Sequence, residues 1–171
     1  PEESRVKTAA DLDTLGIKTF FCSNVCAMYE RETYVNRGGF IRKTIFNEDM
    51  IYAGGLIKTG YAIAYAADAR VIHSHNYSGL EQFHRNFDLA VSQAEHPEIF
   101  DGVASEGEGI RLVKKTAHCL RIRKPWLIVT LVWQSGWKFL GYRMGKSYRK
   151  LPRWLVLRCT MNRAYWNGYR R

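Results

Sequence analysis

No aspartate or glutamate occurs between Arg111 and the last residue, Arg171. That stretch holds 16 of the 26 lysines and arginines, whereas residues 1–110 hold the other 10 together with all 16 acids. The first part therefore carries −6 and the second +16, which make the net +10 of the 171 residues. An acid-free run of this length suits an anionic partner: a phosphorylated ligand, nucleic acid, or the anionic lipid of a cytoplasmic leaflet. Cysteine is scarce too. Cys22, Cys26, Cys119 and Cys159 form no CxxC pair and no dense framework, which points to reduced, partly buried thiols of a cytosolic protein. A zinc site joining Cys22 and Cys26 to His73 and His75 would match no common ligand spacing. The longest apolar stretch, Trp126 to Trp133, falls far short of the about 20 residues that a membrane-crossing helix needs. Pro1-Glu2-Glu3-Ser4 has no signal-peptide pattern and no initiator methionine, so the chain is expected to be a piece of a longer protein.

What is present fits a folded domain. Hydrophobic residues at 46% and aromatics at 13% are ordinary for a globular chain, and the length suffices for one domain with a sizeable core. Thr8 to Leu15 predicts a short helix stopped by Gly16, and Ile17 to Phe21 a strand running into the polar turn Ser23-Asn24. Glu30 to Arg37 predicts another short helix, closed by Gly38-Gly39. Asn47 is placed to cap a helix whose first turn holds Glu48 and Asp49, next to the positive end of the dipole. Along it Phe46, Met50, Ala53, Gly54 and Ile57 share one face, Gly60 ends it, and Gly54-Gly55 implies close packing against a sheet. Tyr61 to Tyr65 and Ala69 to Ile72 are expected as short strands, the second delivering His73 and His75 to one face at its end. Ser78 and Glu81 form a capping box that opens a helix with Leu80, Phe83, Phe87, Ala90 and Ala94 on one side. Pro97 and the run Gly102 to Gly109 mark a boundary, and the basic helices beyond it are expected to break near Pro125, Gly145 and Pro152. Helices alternating with short strands, then helices alone, predict an α/β domain followed by an α-helical tail.

Four blocks stand in a fixed order. They are Phe21 to Phe40, with its polar turn and double glycine; Ile45-Phe46-Asn47-Glu48-Asp49-Met50; Gly60-Tyr61; and Ala69-Arg70-Val71-Ile72-His73-Ser74-His75. In this order and spacing the chain resembles the acceptor-side half of inverting family-2 glycosyltransferases, which have a GT-A type, Rossmann-like nucleotide-diphospho-sugar transferase fold. The likeness is nearest to bacterial rhamnosyltransferase-like members and covers about residues 15–100, with the tail matched more loosely. It implies that Asp49 is the general base that takes the acceptor hydroxyl proton, and that Glu48 orients the acceptor or supports the loop. A carboxylate at a helix N-terminus is held in place and reaches a cleft at a sheet edge, although position alone would also suit two acids that only complement the helix dipole. The resemblance also implies a divalent metal, Mg²⁺ or Mn²⁺, acting as Lewis acid on the departing nucleoside diphosphate. One imidazole, His73 before His75, would complete its coordination beside the acids of a DxD motif. Ser23 and Asn24 would line the donor-sugar pocket, and Arg85 would either reach a phosphate or lie on a solvated helix face.

The sequence departs from the family where the donor is held. No DxD follows an apolar strand; Asp11-Leu12-Asp13 lies in the first expected helix, and no nucleotide-binding first strand is present. The chain is thus read as the C-terminal half of a catalytic domain (residues 1–100), a glycine-rich linker (101–110) and a basic, Trp-rich helical tail (111–171). In the tail Trp126, Trp133, Trp137 and Met144 fall on one helical face flanked by Arg121, Arg123, Lys124, Arg149, Lys150 and Arg153. Such a face suits an anionic membrane surface, lying in its plane. Nucleic acid, gripped by phosphate contacts and stacking, has no recognition motif behind it. The expectation is a peripheral enzyme at the inner face of the cell membrane. It would transfer a sugar such as rhamnose from a nucleotide-sugar donor to a saccharide or lipid-linked saccharide. The alternative is a non-enzymatic membrane-docking module with a degenerate transferase-like domain.

Overall fold

The computed structural model of the chain describes residues 3–103 and 106–167. Among them helix predominates, with one two-stranded sheet. In chain order the elements are β1 (Arg5–Lys7), α1 (Leu12–Leu15), α2 (Arg31–Asn36), α3 (Glu48–Lys58), β2 (Ile63–Tyr65), α4 (Gly79–Glu95), α5 (Pro97–Phe100), α6 (Glu106–Arg123), α7 (Leu127–Lys146) and α8 (Arg153–Cys159). They form two compact units, one of residues 3–75 with 96–103 and one of residues 76–95 with 106–167.

In the first unit Phe20, Ile51, Ile57, Ile99 and Phe100 make the core, with Leu12, Ile17, Met50 and Ile63 packed against them. β1 and β2 pair antiparallel, Val6 opposite Ala64. Lys7, at the end of β1, is buried, and its Nζ donates to the carbonyls of Lys18 (3.0 Å) and Phe21 (2.6 Å). Those bonds help explain why the strand expected over Ile17 to Phe21 is instead a 3-10 turn, Gly16–Phe20. The ammonium takes carbonyls that a strand would have turned toward a neighbour. The expected helix over Thr8 to Leu15 is likewise split between a 3-10 turn, Ala9–Asp11, and α1. Asp11 is used locally, since it accepts from the Thr8 N–H at 2.9 Å and pairs with Arg5 at 3.0 Å.

α3 begins where the acids predicted it. Asn47 occupies the capping position but is left-handed (φ 62°), a conformation asparagine tolerates, and its side chain does not cap the helix. Gly54 is packed against α5 rather than a sheet, because a Cβ there would lie 2.5 Å from Ile99 Cγ2. The strand expected over Ala69 to Ile72 is absent. With only β1 and β2 paired, no third ladder among the described residues takes its backbone groups, and Val71 and Ile72 are exposed.

The second unit is built on α4 and α7. A Cβ on Gly79 would meet Trp137 at 2.4 Å, one on Gly141 the Phe83 carbonyl at 2.2 Å, and one on Gly145 the Phe87 carbonyl at 2.3 Å. Both helices advance by four residues between contacts, so they run parallel with their backbones in close approach. Gly145 is therefore a contact within α7 and not the break read from the sequence; the chain turns at Ser147. The Ser78–Glu81 capping box forms as expected, with the Ser78 N–H donating to Glu81 Oε2 at 2.8 Å and the Glu81 N–H to Ser78 Oγ at 3.3 Å. Phe83, Phe87 and Ala90 are buried, whereas Leu80 is exposed. Polar groups then tie α4 to the end of the chain. Asp88 is 2% exposed and accepts from the Thr160 hydroxyl (2.6 Å) and the Met161 N–H (2.9 Å). Glu95 accepts from the hydroxyls of Tyr148 (3.0 Å) and Tyr165 (2.6 Å).

Candidate active site

Two segments of the first unit meet at the start of α3. The polar turn is closed by the Cys26 N–H, which donates to the Ser23 carbonyl at 3.0 Å. Ser23 is half-buried and Asn24 exposed. Asn24 bridges both acids: its Nδ2 donates to Glu48 Oε1 (3.1 Å), and its backbone N–H donates to Asp49 Oδ2 (3.3 Å). The other oxygen of Asp49, Oδ1, accepts the N–H of Met50 at 2.7 Å. The Tyr29 hydroxyl donates to Asn24 Oδ1 at 2.7 Å, which fixes the amide so that its nitrogen faces Glu48. Asn24, Glu48 and Asp49 are thus brought together, with Tyr29 behind them.

The electrostatics follow from this placement. Burial pushes the half-buried Asp49 carboxyl above its ordinary value, the N–H groups of Met50 and Asn24 pull it down, and the neighbouring charge of Glu48 raises it. A carboxylate raised in this way is a stronger base, while its two oxygens retain acceptor capacity beyond the two bonds described. Burial pushes the Tyr29 phenol well up, followed by its contact with Cys22 Sγ at 3.4 Å and the charges of Asp49 and Glu48. The phenol therefore remains a proton donor to Asn24 at any ordinary pH.

Beside these groups Tyr29, Tyr34, Phe40 and Tyr52 form an aromatic cluster with ring centroids 5.2–5.9 Å apart. The double glycine shapes it. Gly38 and Gly39 are both left-handed (φ 78° and 66°), and a Cβ on Gly39 would lie 2.8 Å from the Tyr34 ring. The Phe40 N–H donates to Tyr34 Oη at 3.1 Å. An open groove of about 400 Å³ runs here, lined by Arg37, Gly39, Phe40, Arg42 and Tyr52 among others.

His73 and His75 lie in an exposed segment without regular secondary structure, their rings edge-on with centroids 4.3 Å apart. Among the described residues no group of three or more His, Cys, Asp or Glu is arranged to hold a metal ion. Two imidazoles alone do not fit Mg²⁺ or Mn²⁺, which take mostly oxygen ligands. Arg85 lies on α4 in the second unit, its guanidinium 5.5 Å above the centre of the Tyr77 ring. Nothing in the sequence singles out Tyr29. Its partner is five residues away, a separation that matches neither helical nor strand periodicity, and no motif marks it.

The chain is 42% identical over 169 residues to the O-antigen chain rhamnosyltransferase RfbN of Salmonella typhimurium, and 41% identical over 169 residues to the O-antigen chain rhamnosyltransferase WbaN of Salmonella anatum. Each match covers 97% of this chain and 53% of the relative. The chain thus spans about half the length of the curated relatives it matches. No protein-family model and no solved structure matches it.

Proposed function

We propose that this chain is the acceptor-side part of a rhamnosyltransferase-like glycosyltransferase with a GT-A type fold. The reaction moves a deoxyhexose such as rhamnose from a nucleoside-diphosphate donor to a saccharide or lipid-linked saccharide, with inversion. The observation that carries this reading is the Asn24–Glu48–Asp49 cluster, in which a helix-terminal carboxylate is raised by burial and held by two N–H groups. The likeness to two O-antigen rhamnosyltransferases supports the same class of reaction.

In this reading the acceptor hydroxyl attacks the anomeric carbon from the side opposite the diphosphate. The new carbon–oxygen bond forms as the bond to the diphosphate breaks, and the departing phosphate oxygen keeps that electron pair. The hydroxyl proton passes to Asp49. One displacement on one face inverts the anomeric centre. Glu48, held by Asn24, orients a second acceptor hydroxyl, and the aromatic groove with Arg37 and Arg42 offers an apolar wall with cationic edges for the acceptor. Ser23 belongs to the donor side of the same turn. A divalent cation enters only with His73 as one ligand and carboxylates from outside the described residues, where it would neutralise the departing diphosphate.

Asp49→Asn in the full-length protein tests the assignment. Turnover falls at least a hundredfold, within the range expected for loss of a general base, while binding of the nucleotide sugar is retained. Turnover near that of the native protein overturns it.

A further inference from the structure

One side of α7 is apolar and uncovered. Ile128, Val129, Val132, Trp133, Gly136 and Leu140 line a trough of about 620 Å³ along it, with Val129 75% and Trp133 64% exposed. Trp126, just before the helix, and Phe139 are exposed as well. The expected Trp stripe is split: Trp137 turns in against Phe83, with ring centroids 6.2 Å apart, and Trp133 sits edge-on over Trp137 on the outside at 5.6 Å. Exposed apolar surface that continues over several helical turns marks a site of interaction.

The charge around the trough narrows its partner. Arg121, Arg123 and Lys124 precede the apolar stretch, and Arg143 and Lys146 follow it; all five are exposed. At 100° per residue Arg143 continues the face of Gly136 and Leu140. No acid lies anywhere from Arg111 onward. The trough is mainly aliphatic, and the two rings that line it, Trp133 and Trp137, pack edge-on against each other instead of offering successive faces for nucleic-acid bases to stack on, which sets it apart from a single-strand groove. No described helix is long and apolar enough to cross a membrane. We propose that this side of α7 docks in the plane of an anionic lipid bilayer. Trp126, Trp133, Val129 and Leu140 enter the headgroup–acyl boundary, and the cations at either end of the stretch meet the lipid phosphates.

This surface stands independently of the transfer reaction, and it is tested without it. The protein is sedimented with phosphatidylcholine vesicles that contain or lack phosphatidylglycerol. It pellets with the anionic vesicles, less so as salt is raised. Trp133→Glu lowers the partition coefficient at least tenfold with an unchanged melting curve. Arg121→Gln, Arg123→Gln and Lys124→Gln together lower it roughly a hundredfold at low salt, given the attraction of each cation to an anionic surface. Should the glutamate variant fold poorly, brominated lipid provides the second measurement: it quenches native tryptophan fluorescence, and Trp133→Phe removes a distinct part of that quenching. Absence of binding to anionic vesicles, binding that Trp133→Glu leaves unchanged, or equal binding to neutral vesicles overturns the proposal. So does a lipid-free dimer that Trp133→Glu dissociates, since the face would then belong to a second copy.

Discussion

The two units each contain an aspartate that burial pushes above its ordinary value, and they use it in opposite ways. Asp88, raised to about 6, is sealed between α4 and the segment after α8, with Thr160 and Met161 donating to it. It has no surface on which a ligand could act. Asp49 is only half-buried, and its bonds come from its own helix and from the exposed Asn24 turn. A raised carboxyl is thus a poor guide to function taken alone, and its access to solvent decides whether it can act as a base. Asp88 and Glu95 of the second unit staple a basic segment, whereas Glu48 and Asp49 of the first stand at a helix start with acceptor capacity to spare.

The largest effects should separate the units by what is lost. Where Asp49→Asn removes turnover, Gly145→Leu should remove stability. It pushes a side chain into the Phe87 carbonyl and should cost about 3 kcal/mol or more in chemical denaturation. An unchanged midpoint would mean that α4 and α7 do not hold their close approach.

Asp88 sharpens the contrast through pH. At pH 5 the folded carboxyl, with its value near 6, still holds a proton that the unfolded chain, near 3.8, has released. The folded state therefore binds more protons between these values, and stability falls as pH rises through the window, by up to about 3 kcal/mol. Asp88→Asn does not titrate. The native protein should therefore lose stability relative to Asp88→Asn as pH rises from about 4 to 6, and a difference between the two that is independent of pH would contradict the burial.

The smallest effect concerns Tyr29. Tyr29→Phe removes one hydrogen bond to Asn24 and should lower kcat about three- to tenfold, with the melting temperature little changed, as expected for about 1 kcal/mol of lost orientation. A drop in stability with kcat intact would make Tyr29 a packing residue only.

Much of this could be read from local sequence because local chemistry decides it. The Ser78–Glu81 box, the start of α3 at its two acids and the short helix α2 all follow from side chains a few residues apart. The failures share a different cause. Ile17 to Phe21 and Ala69 to Ile72 are short, mixed runs that periodicity cannot assign, and the first takes its shape with a buried lysine more than ten residues upstream. Gly145 reads as a stop, yet its meaning lies in Phe87, on another helix. The bridge from Asn24 to Glu48 and Asp49 joins two segments that were each recognised but whose contact no spacing foretold.

The most direct measurement is kcat/KM of the full-length protein against pH, for the native sequence and for Asp49→Asn. The native profile should fall on the acid side with an apparent value above the 3.8 of an ordinary aspartate, and that limb should be missing from the variant's residual activity. An acid limb at the ordinary value, or the same limb in both proteins, would contradict the assignment of Asp49 as the base.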